Sequence, residues 1–228
     1  STTIYLHMRK LIYFALIIIG LSSCAPARFI QPLQEKEHAL SFSLGGPMFN
    51  FSDMTIPAPL SSICYGYGLK ENLSLFGSIH TTSLAFGNFQ SDFGATYKFL
   101  DQKNFIPNIS ASAAGNLIFN FNETNTHFWP QLDVNAYWEH GKNNSYFYVG
   151  MSNWFELAAK RAHDEPSIDH WLLHPQLGYQ YNLESWSFFA EVKLLAPTHL
   201  NDEVLIDFRS ITGNYGSTGL YLGVTKKF

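Results

Sequence analysis

The chain has 228 residues, which suits one or two soluble domains or a single barrel. Apolar residues make up 46% of it, aromatic residues 16% and charged residues only 14%, whereas a typical soluble domain has about 25% charged residues. So few charges beside so many aromatic rings exclude a disordered chain. After the N-terminal region, no apolar run approaches the roughly 18 residues of a membrane-spanning helix. The composition favours a β-rich protein with one polar face and one apolar face.

The pattern of residues 1–23 predicts an upstream extension and an export signal, both removed from the mature protein. After an upstream extension over 1–7, the basic pair Arg9 and Lys10 precedes a short apolar run. Such a run is too short for a stable membrane anchor and is typical of a secretory signal. It ends in Leu-Ser-Ser-Cys, which resembles the lipobox of bacterial lipoproteins and implies lipidation of Cys24. An ordinary signal peptide with a chance cysteine is the alternative.

Residues 24–37 are polar, contain Pro26 and Pro32, and are interpreted as a lipidated periplasmic tether before the folded region 38–228. Loss of the signal removes two basic residues and no acidic one, so the net charge of −4 becomes more negative. This balance argues against nucleic acid as a partner. With lipid on the first cysteine, Cys64 has no partner for an intrachain disulfide.

The folded region alternates between apolar and polar residues, as half-buried strands do. In the last segment, Leu220 and Leu222 share one face, and Tyr221 and Gly223 share the other. Ten such segments are predicted, at 38–50, 59–69, 72–82, 89–100, 105–120, 127–140, 145–157, 169–182, 185–197 and 217–228. Short polar turns (70–72, 101–104, 141–144 and 183–185) alternate with longer loops (near 51–58, 83–88, 121–126, 158–168 and 198–216).

This layout predicts an all-β fold, an antiparallel up-and-down transmembrane β-barrel of about ten strands in the outer membrane. The short turns and both termini are then periplasmic, and the longer loops face outside. A soluble barrel is the alternative, but it needs charges on its outer face. Here the polar face is rich in Gly, Ser, Asn, Gln and Tyr, and aromatic residues such as Trp129, Trp138 and Trp186 lie near strand ends. Aromatic girdles are typical of the two membrane interfaces, so outer-membrane lipids are the expected surroundings.

Six stretches distributed along the chain after the signal are informative: Cys24–Ile30, Leu44–Pro47, Gly66–Leu69, His80–Ser83, Pro130–Trp138 and Ser152–Leu157. On these stretches, most of the chain after the signal resembles a family of outer-membrane β-barrel lipoproteins in Bacteroidota that has no assigned activity. The resemblance implies fold class and location, and no chemistry.

Strand parity places several charged or titratable residues on the inner face of the barrel. Charges buried in a narrow lumen have to be paired or hydrogen-bonded, so we expect a polar network that fills the interior. Glu191 and Lys193 are inward neighbours on one strand and are expected to form an ion pair. The predicted network consists of Asp133, Glu139, Glu156, His174, Glu191 and Lys193, with His80, Asp92 and Lys98 also pointing inward.

Three functions remain open from the sequence. An enzyme that acts on lipid A or peptides would use His80, Ser83 and Asp92 near the outer rim, because a histidine polarised by a carboxylate can activate a serine or a water. A narrow pore is the second. The favoured interpretation is a non-enzymatic structural or accessory subunit of an envelope complex. No nucleophile elbow, metal-ligand spacing or nucleotide motif indicates a cofactor.

A mixed-charge stretch at 160–166 is expected on an outer loop. It contains Lys160, Arg161 and His163, which suit the phosphates of lipopolysaccharide or a protein partner. An ordinary solvated loop explains the same residues without any ligand.

Overall fold

The computed structural model describes residues 25–51, 54–121, 126–157, 170–201 and 207–228. These residues form eleven strands and one short helix, α1 (Thr81–Ala85). The strands are β1 (His38–Phe51), β2 (Met54–Pro57), β3 (Ser61–Lys70), β4 (Leu73–His80), β5 (Asn88–Leu100), β6 (Asn108–Asn120), β7 (Thr126–His140), β8 (Ser145–Phe155), β9 (Trp171–Asn182), β10 (Trp186–Leu200) and β11 (Tyr215–Lys227).

Ten of these strands form a closed antiparallel ring. From β3 to β11 each strand pairs with the next one in the chain, and β1 closes the ring between β3 and β11. The closing register runs from Ala39 opposite Lys227 to Pro47 opposite Gly219. Strand β2 lies outside the ring and pairs only with the last four residues of β1. The predicted all-β, antiparallel, ten-stranded barrel is confirmed.

The wall of the barrel is polar on its inner face and apolar on its outer face. In β8, Tyr148 and Ser152 point into the barrel and are buried, whereas Val149 and Met151 point outward and are 44% and 41% exposed. The same alternation recurs around the ring, with buried Ser, Thr, Asn and Gln inside and exposed Leu, Phe, Val and Tyr outside. A soluble barrel needs the reverse arrangement, and a wall that faces lipid needs this one.

The connections differ between the two ends of the barrel. At one end, the turn end, the strands are joined by residues 71–72, 101–107, 141–144 and 183–185, and β1 begins and β11 ends there. Gly141 and Asn144 adopt positive φ values of 73° and 52° in the third of these turns, where Gly and Asn are the favoured residue types. The other end, the loop end, carries α1 and β2 and the two longest connections, which follow β8 and β10.

Three local features differ from the sequence prediction. The alternation predicts a strand through residue 82, but Thr81 and Thr82 begin α1. The hydroxyl of Thr82 accepts the amide of Ser61 and the hydroxyl of Thr81 bonds that of Ser61, so these side chains replace the backbone hydrogen bonds of the sheet at this point. The loop near 51–58 contains β2. The strand expected from residue 105 begins at Asn108, because a Lys103–Ile106 bridge closes a small turn just before it. Among the described residues, no helix is long and apolar enough to cross a membrane.

Replacing Val134 with Arg should destabilise the barrel in lipid. Val134 is 41% exposed on the outer face, midway along β7. A cation placed there, near the middle of the lipid belt, should lower the free energy of unfolding by about 2–4 kcal/mol. Urea unfolding in phospholipid vesicles, followed by tryptophan fluorescence, measures this change. Tyr181→Arg, on the same face beside the turn end, is the matched control and should cost only about 0–1 kcal/mol. Equal costs at both positions would contradict a lipid-facing wall.

Candidate functional site

Residues 25–37, which lie directly before β1, are inside the barrel, and we call them the lumen segment. At the turn end, the amide of Lys36 donates to the carbonyl of Gly68, and the amide of Gly68 donates to the carbonyl of Glu37. Further in, the segment contacts the neighbouring strands β5 and β6 and also β10, which lies across the ring from β5. Only a chain within the ring can touch all three. The sequence indicated a tether outside the barrel, and the observed position differs from that expectation.

Arg28 anchors the lumen segment to β5 through a bidentate ion pair. Its Nη2 lies 3.0 Å from Oδ2 of Asp92, and its Nε lies 3.3 Å from Oδ1. The same guanidinium donates to the hydroxyls of Ser78 and Ser43 at 3.3 and 3.5 Å. The two charged side chains are 9% and 5% exposed, so water screens them little and the loss of either partner is costly.

A second anchor comes from the opposite side of the ring, on β10. Both carboxylate oxygens of Glu191 lie 3.2 Å from the amide nitrogen of Ala27, which donates to them. The ammonium group of Lys193 donates to the carbonyl of Ala25 at 2.9 Å and lies 3.5 Å from Glu191. The hydroxyl of Tyr148 donates to Glu191 at 2.7 Å. The expected neighbours on β10 therefore form an ion pair whose charges also bind the backbone of the lumen segment.

Between its anchors and the turn end, the segment is held by apolar packing and single hydrogen bonds. Ile30 packs against a group of three buried tyrosines on β7 and β8, and its carbonyl accepts a hydrogen bond from Ser110 at 2.7 Å. The amide of Leu33 donates to Ser74 at 2.7 Å. Gln31 donates to Glu139 at 2.8 Å, so this predicted network residue also binds the segment. The polar backbone of the segment thus finds partners on the wall, as burial requires. The three tyrosines are Tyr137, Tyr146 and Tyr148.

Two glycines of β3 make room for the segment. A Cβ atom at Gly68 would lie 1.7 Å from the backbone oxygen of Gln34, and one at Gly66 would lie 2.7 Å from the ring of Phe29. Neither position accepts a side chain while the segment is in place. Whereas the buried tyrosines lie on β7, β8 and β11, other small residues also face the lumen on β1 and β3–β6. The small residues that face the lumen there are Ser41, Ser43, Ser62, Cys64, Ser74, Ser78, Thr96, Ser110 and Ser112.

The candidate catalytic residues are brought together only in part. His80 Nε2 and Asp92 Oδ2 are 2.9 Å apart, and Ser78 also donates a short hydrogen bond to the same carboxylate. The hydroxyl of Ser83, however, donates to Gln90 at 2.6 Å. The carboxylate of Asp92 is thus occupied by Arg28, Ser78 and His80. This arrangement fits an anchor for the lumen segment better than a base that activates a serine.

The other predicted network residues are distributed along the lumen. Both carboxylate oxygens of Asp133 accept hydrogen bonds from Gln131 at 2.9 Å. His174 is buried, and its Nδ1 accepts a hydrogen bond from the amide of Ala196 at 2.9 Å. Glu156 lies just beyond β8, where its amide donates to the carbonyl of His170. In the part of the chain that the structure describes, no group of three His, Cys, Asp or Glu side chains could hold a metal ion.

Some predicted features lie outside the described residues, and some observed features have no counterpart in the sequence prediction. Cys24 and the mixed-charge stretch at 160–166 lie outside the described residues. The interior position of Arg28, and the roles of Gly66 and Gly68, were not predicted. One usable signal existed, because the inward carboxyl groups outnumber the inward amines and therefore require a cation from elsewhere in the chain.

Replacing Arg28 with Met should release the lumen segment. Loss of one partner from a buried pair costs about 3–5 kcal/mol, which corresponds to an increase on the order of 100-fold or more in the released population. Cys64 is 1% exposed beside the segment, so maleimide should alkylate it faster in the variant by a similar factor. Cys64→Ser identifies any label carried by the other cysteine.

The double variant Arg28→Met with Asp92→Leu should recover part of this loss, because no unpaired charge then remains. Lys98→Met is the matched control. Lys98 lies 2.8 Å from Asp101 and its hydrogen bond lowers the pKa of that carboxyl, but the pair is exposed to water at the turn end. Unchanged alkylation in Arg28→Met, or an equal increase in Lys98→Met, would contradict the anchoring role.

Solved barrel structures resemble the chain at low identity. The NanC porin structure has a TM-score of 0.44 and 8% identity, over 84% of this chain and 99% of that chain. The translocator domain of the autotransporter NalP from Neisseria meningitidis has a TM-score of 0.39 and 10% identity, over 100% and 98%. The outer membrane protein OprG from Pseudomonas aeruginosa has a TM-score of 0.34 and 11% identity, over 87% and 99%. No family model matches the chain and no curated protein matches its sequence, and nothing about activity transfers at these similarities.

Proposed function

We propose that the protein is an outer-membrane β-barrel, closed by its own N-terminal segment, that serves as a non-enzymatic structural or accessory subunit of the cell envelope. One observation carries the proposal. The lumen segment fills the barrel from the turn end to the level of Lys193 and is fixed there by Asp92 and Glu191. A lumen occupied in this way favours neither transport nor access of a substrate to His80.

The outer wall supports the membrane location. A closed ring leaves no unpaired sheet edge, which is the condition for a sheet in lipid. Trp171 and Trp186 are exposed on the outer face near opposite ends of the barrel, where aromatic girdles belong. Lys226 lies 4.9 Å from the ring of Trp186, so a cation and an aromatic ring share the turn-end interface. Short turns are typical of the periplasmic side, so we place the turn end, where β1 begins and β11 ends, on that side.

Because the lumen is occupied, other molecules would contact the outer surface and the ends of the barrel. The far half of β1 and β2 extend beyond the ring at the loop end, and an antiparallel bridge joins Phe49 to Phe208. Phe51 and Met54, in the same extension, are 57% and 61% exposed. Exposed apolar side chains at the end of a barrel are suited to contact with another envelope protein.

The proposal predicts that the barrel passes no ions and that detergent extracts it from the membrane together with other envelope proteins. The full chain should show heat-shifted mobility on gels and a strand-dominated circular dichroism spectrum in detergent. In planar bilayers it should carry no step currents, because the lumen segment fills its interior. Mild detergent extraction from the native membrane should recover it at fixed stoichiometry with other envelope proteins. Extraction as a lone monomer that conducts ions would overturn the accessory role.

We also propose that Cys24 is acylated, as its lipobox-like context implies. Labelled palmitate should enter the wild type and not Cys24→Ala, and equal labelling of both would refute acylation.

A further inference from the structure

The inner wall carries an excess of acidic groups. Among the buried charged residues of the described ranges are three carboxylic acids, Asp92, Asp133 and Glu191, and one amine, Lys193. Arg28 of the lumen segment neutralises Asp92, and Lys193 lies 3.5 Å from Glu191. Without the segment, the wall keeps more negative than positive side chains. Such a lumen attracts cations and repels anions.

The barrel also has enough internal width for a hydrated ion once the segment is absent. Ten strands lie between the roughly eight of a barrel filled by side chains and the sixteen or more of open porins. Here the lumen contains a whole peptide chain in addition to the wall side chains. Its removal would leave a space at least as wide as that chain, bordered by the small residues of β1 and β3–β6.

Part of this space is already present with the segment in place. A cavity of about 110 Å³ lies between the segment and the wall near the turn end. Polar residues such as Ser41, Gln180 and Thr225 line it, together with Arg28 and Cys64. A polar cavity of this size holds several water molecules, so one side of the segment is suited to hydration.

The attachment of the segment is of a kind that can be undone without breaking the sheet. Inside the ring, the hydrogen bonds of the segment join side chains of the wall to the backbone of the segment, or join a side chain of the wall to a side chain of the segment. The ten-stranded ladder closes through β1 and β11, both of which lie outside the segment. Removal of the segment therefore leaves every strand pairing in place.

From these observations we propose that the lumen segment is a removable plug and that the lumen behind it is a passage for hydrated monovalent cations. The proposal rests on the membrane barrel of the proposed function and adds a second state to it. Asp92 and Glu191 have two roles, because they hold the plug when it is in place and attract cations when it is absent.

The test compares the full chain with a variant that lacks residues 25–36, in planar bilayers under a KCl gradient. The deletion variant should show step currents that the full chain lacks, with K⁺ favoured over Cl⁻ by roughly tenfold. Asp92→Asn together with Glu191→Gln, made in the deletion variant, should bring the permeability ratio close to one. Currents without cation preference, or a preference that survives the loss of both carboxylates, would overturn the cation passage.

A point substitution repeats the test without a deletion. Gly68→Ala places a Cβ against the backbone oxygen of Gln34 and should expel the plug, which gives the same currents and rapid alkylation of Cys64 by maleimide. Gly77→Ala is the matched control on the neighbouring strand, because its Cβ would meet no heavy atom closer than 4.0 Å. That control should remain closed and unlabelled.

The outcomes separate the two proposals. A Gly68→Ala barrel that keeps heat-shifted mobility and exposes Cys64 but passes no ions would refute the passage and leave the membrane barrel intact. If the deletion variant does not insert, Gly68→Ala decides the question by the same currents. A wild type that conducts as well as Gly68→Ala would refute the plug. Protein that stays soluble without detergent would refute the membrane barrel itself.

Discussion

A guanidinium held inside a ten-stranded barrel is the interaction on which the rest of the interior depends. Arg28 can remain buried because Asp92 accepts it with two oxygens and Ser78 and Ser43 accept two further N–H groups. This pair sets how deep the lumen segment enters. Its depth in turn places Ala27 on Glu191 and brings Phe29 and Gln34 against β3, where only Gly66 and Gly68 fit. The Arg28–Asp92 pair thus fixes where the backbone of the lumen segment meets Glu191 and where it approaches β3.

Most of the architecture could be predicted from the sequence, because a half-buried strand has a period of two that survives any detail of its surroundings. The alternation in β8 and β11 gave the correct inner and outer faces, and the lengths of the connections gave the correct grouping of the two ends. The prediction was wrong where local side-chain bonds override that period. Thr81 and Thr82 bond Ser61 and begin a helix in place of two more strand residues.

The interior was harder to predict, because its contacts join residues far apart in the chain. Arg28 and Asp92 are 64 positions apart, and Ala27 and Glu191 are 164 apart. The lumen segment has no period of its own, and its two prolines resemble those of an ordinary linker. Parity placed Asp92, Asp133, Glu191 and Lys193 inward, but it could not indicate that a residue before the first strand supplies the missing cation. The roles of Gly66 and Gly68 depend on a neighbour that only the folded structure reveals.

The position of Ala27 beside Glu191 has a consequence for the order of folding. During synthesis the segment emerges before every strand of the ring, yet its anchors on β10 exist only when the next-to-last strand is in place. The ring closes when β1 meets β11, so the two extremes of the sheet must find each other across almost the whole chain. Such long-range closure is slow, and until then the segment has its partners on β3–β6 but lacks those on β10. Full occupation of the lumen, with both anchors made, is therefore among the last steps of assembly.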